Sequence, residues 1–283
     1  MDVSEEERQA TYERLWAEEG GFNFIYGSYY DLLVNRAAND TAAEFIRQKI
    51  REIVKDPIVA EKLLPKDYPY GTKRPPIDTD YYETFNQDNV TLVDLRETPI
   101  SEATATGLRT TSTHYDLDII VFATGYDAMT GSLLKIDVRG RDGRQLKEKW
   151  ASGPLTYLGL QVAGFPNMFV VTGPGSPSVL TNMPIAIEQH VEWIGECISY
   201  VRERALATVE ATEEAEEAWV EHVRQVAEST LFPEANSWYL GANIPGKDRV
   251  FMPYVGGFAP YQKRCDEVVG NGYEGFAFSS RAG

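Results

Sequence analysis

The chain has 283 residues, 43% of them apolar, with 43 acidic side chains against 27 basic ones and a net charge of −16 at pH 7. This length supplies enough apolar material for one or two packed domains. The excess of negative charge disfavours extended binding to nucleic acid or to an anionic membrane surface. Two cysteines, Cys197 and Cys265, are too few for a disulfide framework or a metal site. Because no run approaches 18 apolar residues and Met1–Glu7 lacks a targeting pattern, we expect a cytoplasmic protein.

The first 64 residues carry helix signals. Ser4 is followed by Glu7 and Thr41 by Glu44, and each pair is a capping box that predicts the start of a helix. Apolar residues between 45 and 54 recur at helical spacing, opposite basic ones. Residues 4 to 64 therefore predict a mostly helical region.

A proline-rich segment, residues 65–76, contains the adjacent cations Lys73 and Arg74. Proline fixes φ and removes a hydrogen-bond donor, so the segment predicts an ordered loop. A stiff loop loses little entropy when it positions a side chain, as a catalytic cation requires. The residues alone leave open the alternative that Arg74 pairs with a nearby carboxylate, such as that of Asp67 or Asp78.

Three strands are predicted next, at Val90–Leu95, Leu108–Thr113 and Leu117–Ala123. The last is a continuous apolar run of the kind that is buried on both faces of a sheet. It leads into Thr124 and Gly125.

The remainder of the chain alternates turns, a strand and helices. Residues 137–146 predict a hairpin turn, and residues 168–172 predict a buried strand that leads into Gly173-Pro174-Gly175. Residues 185–201 predict an amphipathic helix, 213–228 an acidic and highly solvated one, and 238–278 aromatic and Gly-rich loops.

Glycines after predicted strands mark places where the backbone comes close to a flat or phosphorylated ligand, although a plain turn is the alternative. Thr124-Gly125 and Gly173–Gly175 are two such places. Gly270–Gly275 matches the Gly-x-Gly-x-x-Gly pattern, but we reject it because too few residues follow for the helix that a phosphate would need. The three histidines are dispersed and lack metal-ligand spacing, so no metal site is expected.

Four motifs together resemble the C-terminal half of a Baeyer–Villiger monooxygenase. They are Gly71–Pro76 with its Lys-Arg pair, Phe122–Asp127, Gly173–Ser178 and Ser237–Lys247. That family, which includes phenylacetone, steroid and cyclohexanone monooxygenases, oxidises ketones to esters or lactones with FAD, NADPH and dioxygen.

The resemblance implies an α/β fold, as an incomplete flavoprotein with two Rossmann-like dinucleotide-binding domains and a helical insertion. Residues 1–116 would form the C-terminal part of the NADPH-binding domain with the helical subdomain. Residues 117–283 would form the C-terminal part of the FAD-binding domain, with the substrate and NADP-covering loops.

The resemblance also implies roles for particular residues. Arg74 would be the catalytic arginine, because a lasting positive charge with several donors stabilises a developing oxyanion. Lys73 would contact the 2′-phosphate of NADPH. Thr124 and Gly125 would bind cofactor where the chain crosses between domains, and Trp238 would cover the nicotinamide end of NADP. A core aromatic is the alternative for Trp238.

Substrate contacts are implied for the segment after the Gly-Pro-Gly turn. These residues are Ser178, Val179, Leu180 and Met183. Leu180 and Met183 could equally belong to the core.

The Gly-rich fingerprints of both dinucleotide domains are missing from the sequence, so we expect this chain alone to be inactive. The expected partners of the enzyme are a ketone and dioxygen, with no nucleic acid and no membrane. Two alternatives remain: a flavin monooxygenase that oxygenates nitrogen or sulfur, and a non-catalytic remnant that binds a partner, such as a separately encoded N-terminal half. The sequence leaves open a gene fragment, a split enzyme or a misplaced start codon.

Overall fold

The computed structural model describes residues 3–20 and 22–280; Met1 and Asp2 of the segment considered for targeting lie outside them. The chain divides into two compact units, Met1–Gly125 and Tyr126–Gly283. This division falls at Gly125, whereas the sequence analysis places a boundary at 116/117.

Helices dominate the start of the first unit, as predicted. They are α1 Glu5–Arg14, a π-helical turn Leu15–Glu19, α2 Asn23–Tyr26, α3 Arg36–Ile53, α4 Pro57–Leu63 and α5 Tyr81–Thr84. The stripe on α3 is confirmed, since Phe45 and Ile50 are buried, and the Phe45 ring packs with those of Tyr12 and Phe24.

One of the two predicted helix starts is correct. Ser4 accepts a hydrogen bond from the Glu7 amide at 3.1 Å, immediately before α1. The prediction at Thr41 is wrong because Asn35 already caps α3, accepting from the Ala38 amide at 3.1 Å. Thr41 lies inside that helix, where its hydroxyl donates to the Ala38 carbonyl at 2.7 Å.

The first unit ends in a small antiparallel sheet of order β1-β2-β3. Its strands are β1 Ile100–Thr104, β2 Gly107–Thr110 and β3 His114–Asp116. The strand predicted at 108–113 stops at Thr110, whose hydroxyl accepts from the Thr113 amide in a turn. No strand forms at 90–95, so that prediction is wrong.

The predicted buried strand at 117–123 is also wrong for this chain. The segment belongs to no strand, and Ile119, Val121 and Phe122 are 79%, 82% and 82% exposed. A strand needs a neighbour for its backbone groups. The Leu117 amide donates to the Thr106 carbonyl at 2.8 Å, but no strand in the described ranges pairs with residues 118–123.

The second unit packs helices on a two-stranded antiparallel sheet. The helices are α6 Gly131–Leu134, α7 Leu146–Lys149, α8 Met183–Glu203, α9 Glu213–Glu228 and α10 Phe258–Gly270, and the strands are β4 Leu206–Ala211 and β5 Phe276–Ser280. Short 3₁₀ turns lie at Arg141–Gly143, Ser178–Leu180, Phe232–Glu234 and Trp238–Leu240. Trp193, Tyr261 and Val268 are buried in its core.

The predicted helices at 185–201 and 213–228 are confirmed by α8 and α9. The prediction of loops throughout residues 238–278 is wrong, because this region contains α10 and most of β5. That strand directly follows Gly270–Gly275, so no helix follows the rejected phosphate-binding pattern.

Two predictions in the middle of the second unit hold only locally. The 137–146 hairpin is reduced to an antiparallel bridge between Arg139 and Gln145. The strand at 168–172 is reduced to a bridge between Phe169 and Gln161, and Val171 is 41% exposed.

Helix α9 is less solvated than its acidic sequence predicts. Glu216 is buried, and its carboxylate lies 2.6 Å from the equally buried Lys149 ammonium while also accepting from the Ala163 amide at 2.8 Å. Desolvation raises the pKa of Glu216, and the ion pair and the amide oppose this shift.

The two units together contain both helices and strands, so the fold is α/β in content. No described helix has the length and apolar character needed to cross a membrane.

Candidate cofactor and substrate site

The loop that carries Lys73 and Arg74 is anchored by a buried asparagine. Asn39 on α3 is fully buried; its amide donates to the carbonyls of Leu32 at 2.7 Å and Tyr70 at 2.8 Å, and its carbonyl accepts from the Tyr70 amide at 2.8 Å. Gly71 follows with φ +82°, and a Cβ there would lie 2.3 Å from an Ile25 methyl group. Sequence reasoning missed Asn39, since a polar residue on a helix gives no sign of a partner 31 residues away along the chain.

Both cations on this loop lie over aromatic rings. The Lys73 ammonium is 4.5 Å from the centre of the Tyr68 ring, and the Arg74 guanidinium carbon is 5.0 Å from that of Phe22. Arg74 is exposed and Lys73 half-buried. Two carboxylates were considered as partners of Arg74. The Asp67 carboxylate lies 3.2 Å from the Arg96 guanidinium, and the Asp78 carboxylate accepts a hydrogen bond from a backbone amide.

Thr124 and Gly125 end the first unit in an exposed segment. Gly125 has φ +83°, and a Cβ added to it would meet no atom within 4 Å. The backbone at Gly125 is thus open to close approach by a flat ligand, which is the condition that the cofactor role requires.

In the second unit, the Gly-Pro-Gly turn makes a close backbone contact. A Cβ on Gly173 would lie 2.6 Å from the Gly159 carbonyl oxygen, and one on Gly159 would lie 2.6 Å from the Ser176 amide nitrogen. Glycine is required at both positions because backbone fills the space.

Hydrogen bonds from several elements fix this turn. The Thr156 hydroxyl donates to the Pro174 carbonyl at 2.5 Å, and the Trp219 indole of α9 donates to the Gly175 carbonyl at 3.0 Å. The Gly175 amide donates in turn to the Met252 carbonyl at 2.7 Å. The turn is therefore a rigid support for the segment that follows it.

His190 of α8 holds the residue before the turn. Its Nδ1 accepts from the Thr172 amide at 2.8 Å, so the proton of the neutral ring lies on Nε2. Burial lowers the pKa of His190 to about 4, which keeps the ring neutral at physiological pH. The sequence analysis found no metal-ligand spacing among the histidines and missed this role of His190.

The four residues predicted to contact substrate lie within one short stretch, residues 178–183. Ser178 is buried at φ +44°, and its hydroxyl lies 3.8 Å from the Met129 sulfur. Val179, Leu180 and Met183 are half-buried, so Leu180 and Met183 do not belong to the fully buried core.

Trp238 is half-buried, and its ring centre is 4.3 Å from that of Tyr239. The core position is taken by Tyr239, which is 2% exposed. Residues after Trp238 contact the segment after Gly125: the Asn243 amide donates to the Tyr126 carbonyl at 2.9 Å.

The structure thus gathers the predicted residues into two groups. Lys73 and Arg74 share one loop of the first unit, whose last residues are Thr124 and Gly125. In the second unit, residues 126–130 contact both the Ser178 turn and the loop after Trp238. Among residues 3–20 and 22–280, no cluster of His, Cys, Asp or Glu is arranged to hold a metal.

Comparison with known proteins gives no match to a family model, but many individual relatives. The chain is 46% identical over 272 residues to a Baeyer–Villiger monooxygenase of Pseudooceanicola batsensis, covering 96% of this chain and 49% of the relative. It is 46% identical over 281 residues to phenazine N-monooxygenase PhzNO1 of Lysobacter antibioticus, covering 99% and 51%.

Two solved structures are similar over the same extent. Oxidised steroid monooxygenase bound to NADP has a TM-score of 0.90 and 54% identity, covering 99% of this chain and 52% of that one. OTEMO in complex with FAD and NADP has a TM-score of 0.94 and 45% identity, covering 98% and 51%. The chain therefore spans about half the length of the proteins it matches.

Proposed function

We propose that this chain, which belongs to the Baeyer–Villiger monooxygenase family and matches the C-terminal part of its members, supplies half of an active site that converts ketones to esters or lactones. The observation that carries the proposal is the Lys73-Arg74 loop. Asn39 anchors it from a buried position, and the Arg74 side chain is left exposed.

In the proposed reaction, bound FAD supplies the oxygenating centre and NADPH the reducing equivalents. Arg74 places a permanent positive charge and several donors where negative charge develops on the substrate carbonyl oxygen. Lys73 donates to the 2′-phosphate of NADPH, and Trp238 covers its nicotinamide end. Gly125, with open space where a Cβ would be, fits a cofactor that touches the backbone.

Substrate contact is assigned to Ser178, Val179, Leu180 and Met183. The rigid Gly173–Gly175 turn supports them from one side, and α8 begins at Met183 on the other. The half-buried apolar side chains of Val179, Leu180 and Met183 suit a ketone with an apolar body.

We assign residues 1–116 to a Rossmann-like NADPH-binding domain with its helical subdomain, and residues 117–283 to a Rossmann-like FAD-binding domain. The proposed place of action is the cytoplasm, which the two free, buried cysteines support.

Exposed apolar surfaces support a complementary half. Between 117 and 123, the side chains of Ile119, Val121 and Phe122 are apolar and exposed. Such a segment suits a central strand covered on both sides. Helix α8 also exposes Ile187, Val191 and Ile198. We propose that a polypeptide equivalent to the unmatched half of the relatives covers these surfaces.

The test is reconstitution. The chain would be co-expressed with the N-terminal half of steroid monooxygenase, its 54% identical relative, and supplied with FAD, NADPH and a ketone. Ester formation that disappears in Arg74→Ala would support the proposal. A stable, flavin-containing complex that consumes NADPH but forms no ester from any of a panel of linear, cyclic and steroidal ketones would refute it.

The phenazine N-monooxygenase relative favours a second candidate, oxygenation of an aromatic nitrogen. The same complex should then convert phenazine to its N-oxide. Because a nitrogen lone pair needs no stabilised carbonyl oxyanion, Arg74→Ala would retain N-oxide formation while losing ester formation. A complex that binds but produces neither would indicate the non-catalytic remnant.

A further inference from the structure

Lys247 forms a half-buried ion pair that none of the predicted site residues explains. Its ammonium donates to the Asp127 carboxylate and, at 2.7 Å, to the Thr130 hydroxyl. The two charged side chains are only 19% and 33% exposed, and Thr130 is buried. Charge-assisted hydrogen bonds of this kind are stronger than neutral ones and are less screened than surface pairs.

Glycines make room for both partners. Gly241 has φ +69°, and a Cβ there would lie 3.0 Å from Cδ of Lys247, so the backbone packs against the lysine methylenes. Gly131 lies against Asp127, where an added Cβ would be 2.6 Å from the aspartate Cβ. The pair is thus enclosed by backbone on both sides.

The loop between Trp238 and Lys247 is held at two further places. At its base, the Met252 amide donates to the Tyr239 carbonyl at 2.9 Å. At its far end, the Asn243 amide donates to the Tyr126 carbonyl at 2.9 Å. If the Lys247 contacts are removed, the hydrogen bond from the Asn243 side chain to Tyr126 still joins this loop to residues 126–130.

We infer that Lys247 and Asp127 are positioning residues that fix the Trp238 loop on the segment directly after Gly125. This deepens the proposed function, on which it rests. Through Met129, the same segment also contacts Ser178, so one short stretch sets the place of the nicotinamide-covering loop and of the substrate turn. The ion pair holds the loop that carries Trp238, so we expect it to govern the retention of NADP. Because the pair itself touches neither substrate nor cofactor, the rate of hydride transfer should be unchanged.

The first test uses the 283-residue chain itself. Lys247→Met keeps the methylenes that pack on Gly241 and removes the charge, and Asp127→Asn removes the other partner. Hydrogen exchange of the amides between 241 and 249 should accelerate at least tenfold in each variant. The reason is that loss of a charge-assisted hydrogen bond changes the opening equilibrium of the loop by about one or two orders of magnitude. The double variant should exchange no faster than the worse single one.

Lys263→Met on α10 is the matched control. The Lys263 side chain is 79% exposed, and its ammonium pairs weakly with the Glu267 carboxylate, at the long distance of 3.9 Å. It should leave exchange in the loop unchanged. Exchange within twofold of wild type in Lys247→Met would overturn the inference, as would additive effects of the two single substitutions.

The second test uses the reconstituted enzyme. Lys247→Met should raise the KM for NADPH and the rate of NADP release about tenfold, with the rate of flavin reduction at saturating NADPH unchanged. Lys247→Arg should recover part of the loss. Faster loop exchange with unchanged NADP release would overturn the role in cofactor retention. If the complex oxidises no ketone at all, the proposed function fails, while the exchange measurement still decides the ion pair.

Discussion

The Nε2 atom of His190 lies 2.8 Å from the Tyr261 hydroxyl, which donates in turn to the Leu158 carbonyl at 2.6 Å. Nδ1 of the same ring already accepts from Thr172, so the Nε2 proton is donated to Tyr261. This series of hydrogen bonds gives a partner to both ring nitrogens of His190 and to the Tyr261 hydroxyl, and both side chains are fully buried. It connects α8, α10 and the backbone on both sides of the close contact between Gly159 and Gly173.

A buried neutral histidine makes stability depend on pH. The pKa of His190 is lowered to about 4 when folded, against its usual 6.5, so the unfolded chain binds the proton more tightly. The neutral His190 ring therefore contributes to the free energy of unfolding fully above pH 6.5. This contribution declines as the pH falls towards 4, by roughly 3 kcal/mol in total. Urea unfolding between pH 7 and 4.5 should show this loss in wild type and not in His190→Asn.

Parallel profiles for wild type and His190→Asn would contradict the account.

Local signals account for what the sequence predicted correctly. Ser4, the apolar stripe of α3, and the long patterns of α8 and α9 all report short-range chemistry that a single sequence contains. The strand prediction at 117–123 is wrong because its apolar pattern requires burial between neighbouring elements, and the described residues supply no elements that bury it. An apolar pattern shows that a segment needs to be buried, but it does not identify the element that buries it.

The same limit applies to the site. Arg74 and Trp238 stood out by motif, and each lies on a fixed loop or turn. Asn39, His190 and Lys247 act through partners far along the chain, which no short-range signal reports. Positioning residues of this kind become visible only when distances are known.

Lys149 should be critical for stability of the second unit. Lys149→Met leaves Glu216 buried beside a neutral side chain, which should cost about 3–5 kcal/mol in the free energy of unfolding. Lys149→Met with Glu216→Gln removes both charges and keeps an acceptor for the Ala163 amide, so much of the loss should be recovered. Urea unfolding measures both, and a double variant as unstable as the single one would contradict a charge effect.

Lys73 should determine cofactor preference in the reconstituted enzyme. A 2′-phosphate carries charge that NADH lacks, and a charge-assisted bond to it should contribute about 1.5–3 kcal/mol, or about ten- to a hundredfold. Lys73→Ala should therefore raise the KM for NADPH and leave that for NADH nearly unchanged. Equal losses with both cofactors would show that Lys73 supports the loop, through its contact with Tyr68, and does not contact the phosphate.

Arg74 should separate flavin reduction from oxygen transfer. Arg74→Lys keeps the charge but lacks the planar fork, so reduction by NADPH should continue while ester formation is lost and hydrogen peroxide accumulates. Rapid-reaction absorbance follows the first step, and product analysis follows the second. Normal ester yield in Arg74→Lys would show that the assignment is wrong.

The central claim is that this chain holds one half of a cofactor site, and flavin content after desalting tests it most directly. The sole Gly-x-Gly-x-x-Gly pattern of the sequence leads into β5, so it offers no helix N-terminus to the pyrophosphate. The 283-residue chain alone should be colourless, and its complex with the N-terminal half of steroid monooxygenase should retain about one FAD per complex. One-to-one FAD in the isolated chain, or none in a well-formed complex, would contradict the account.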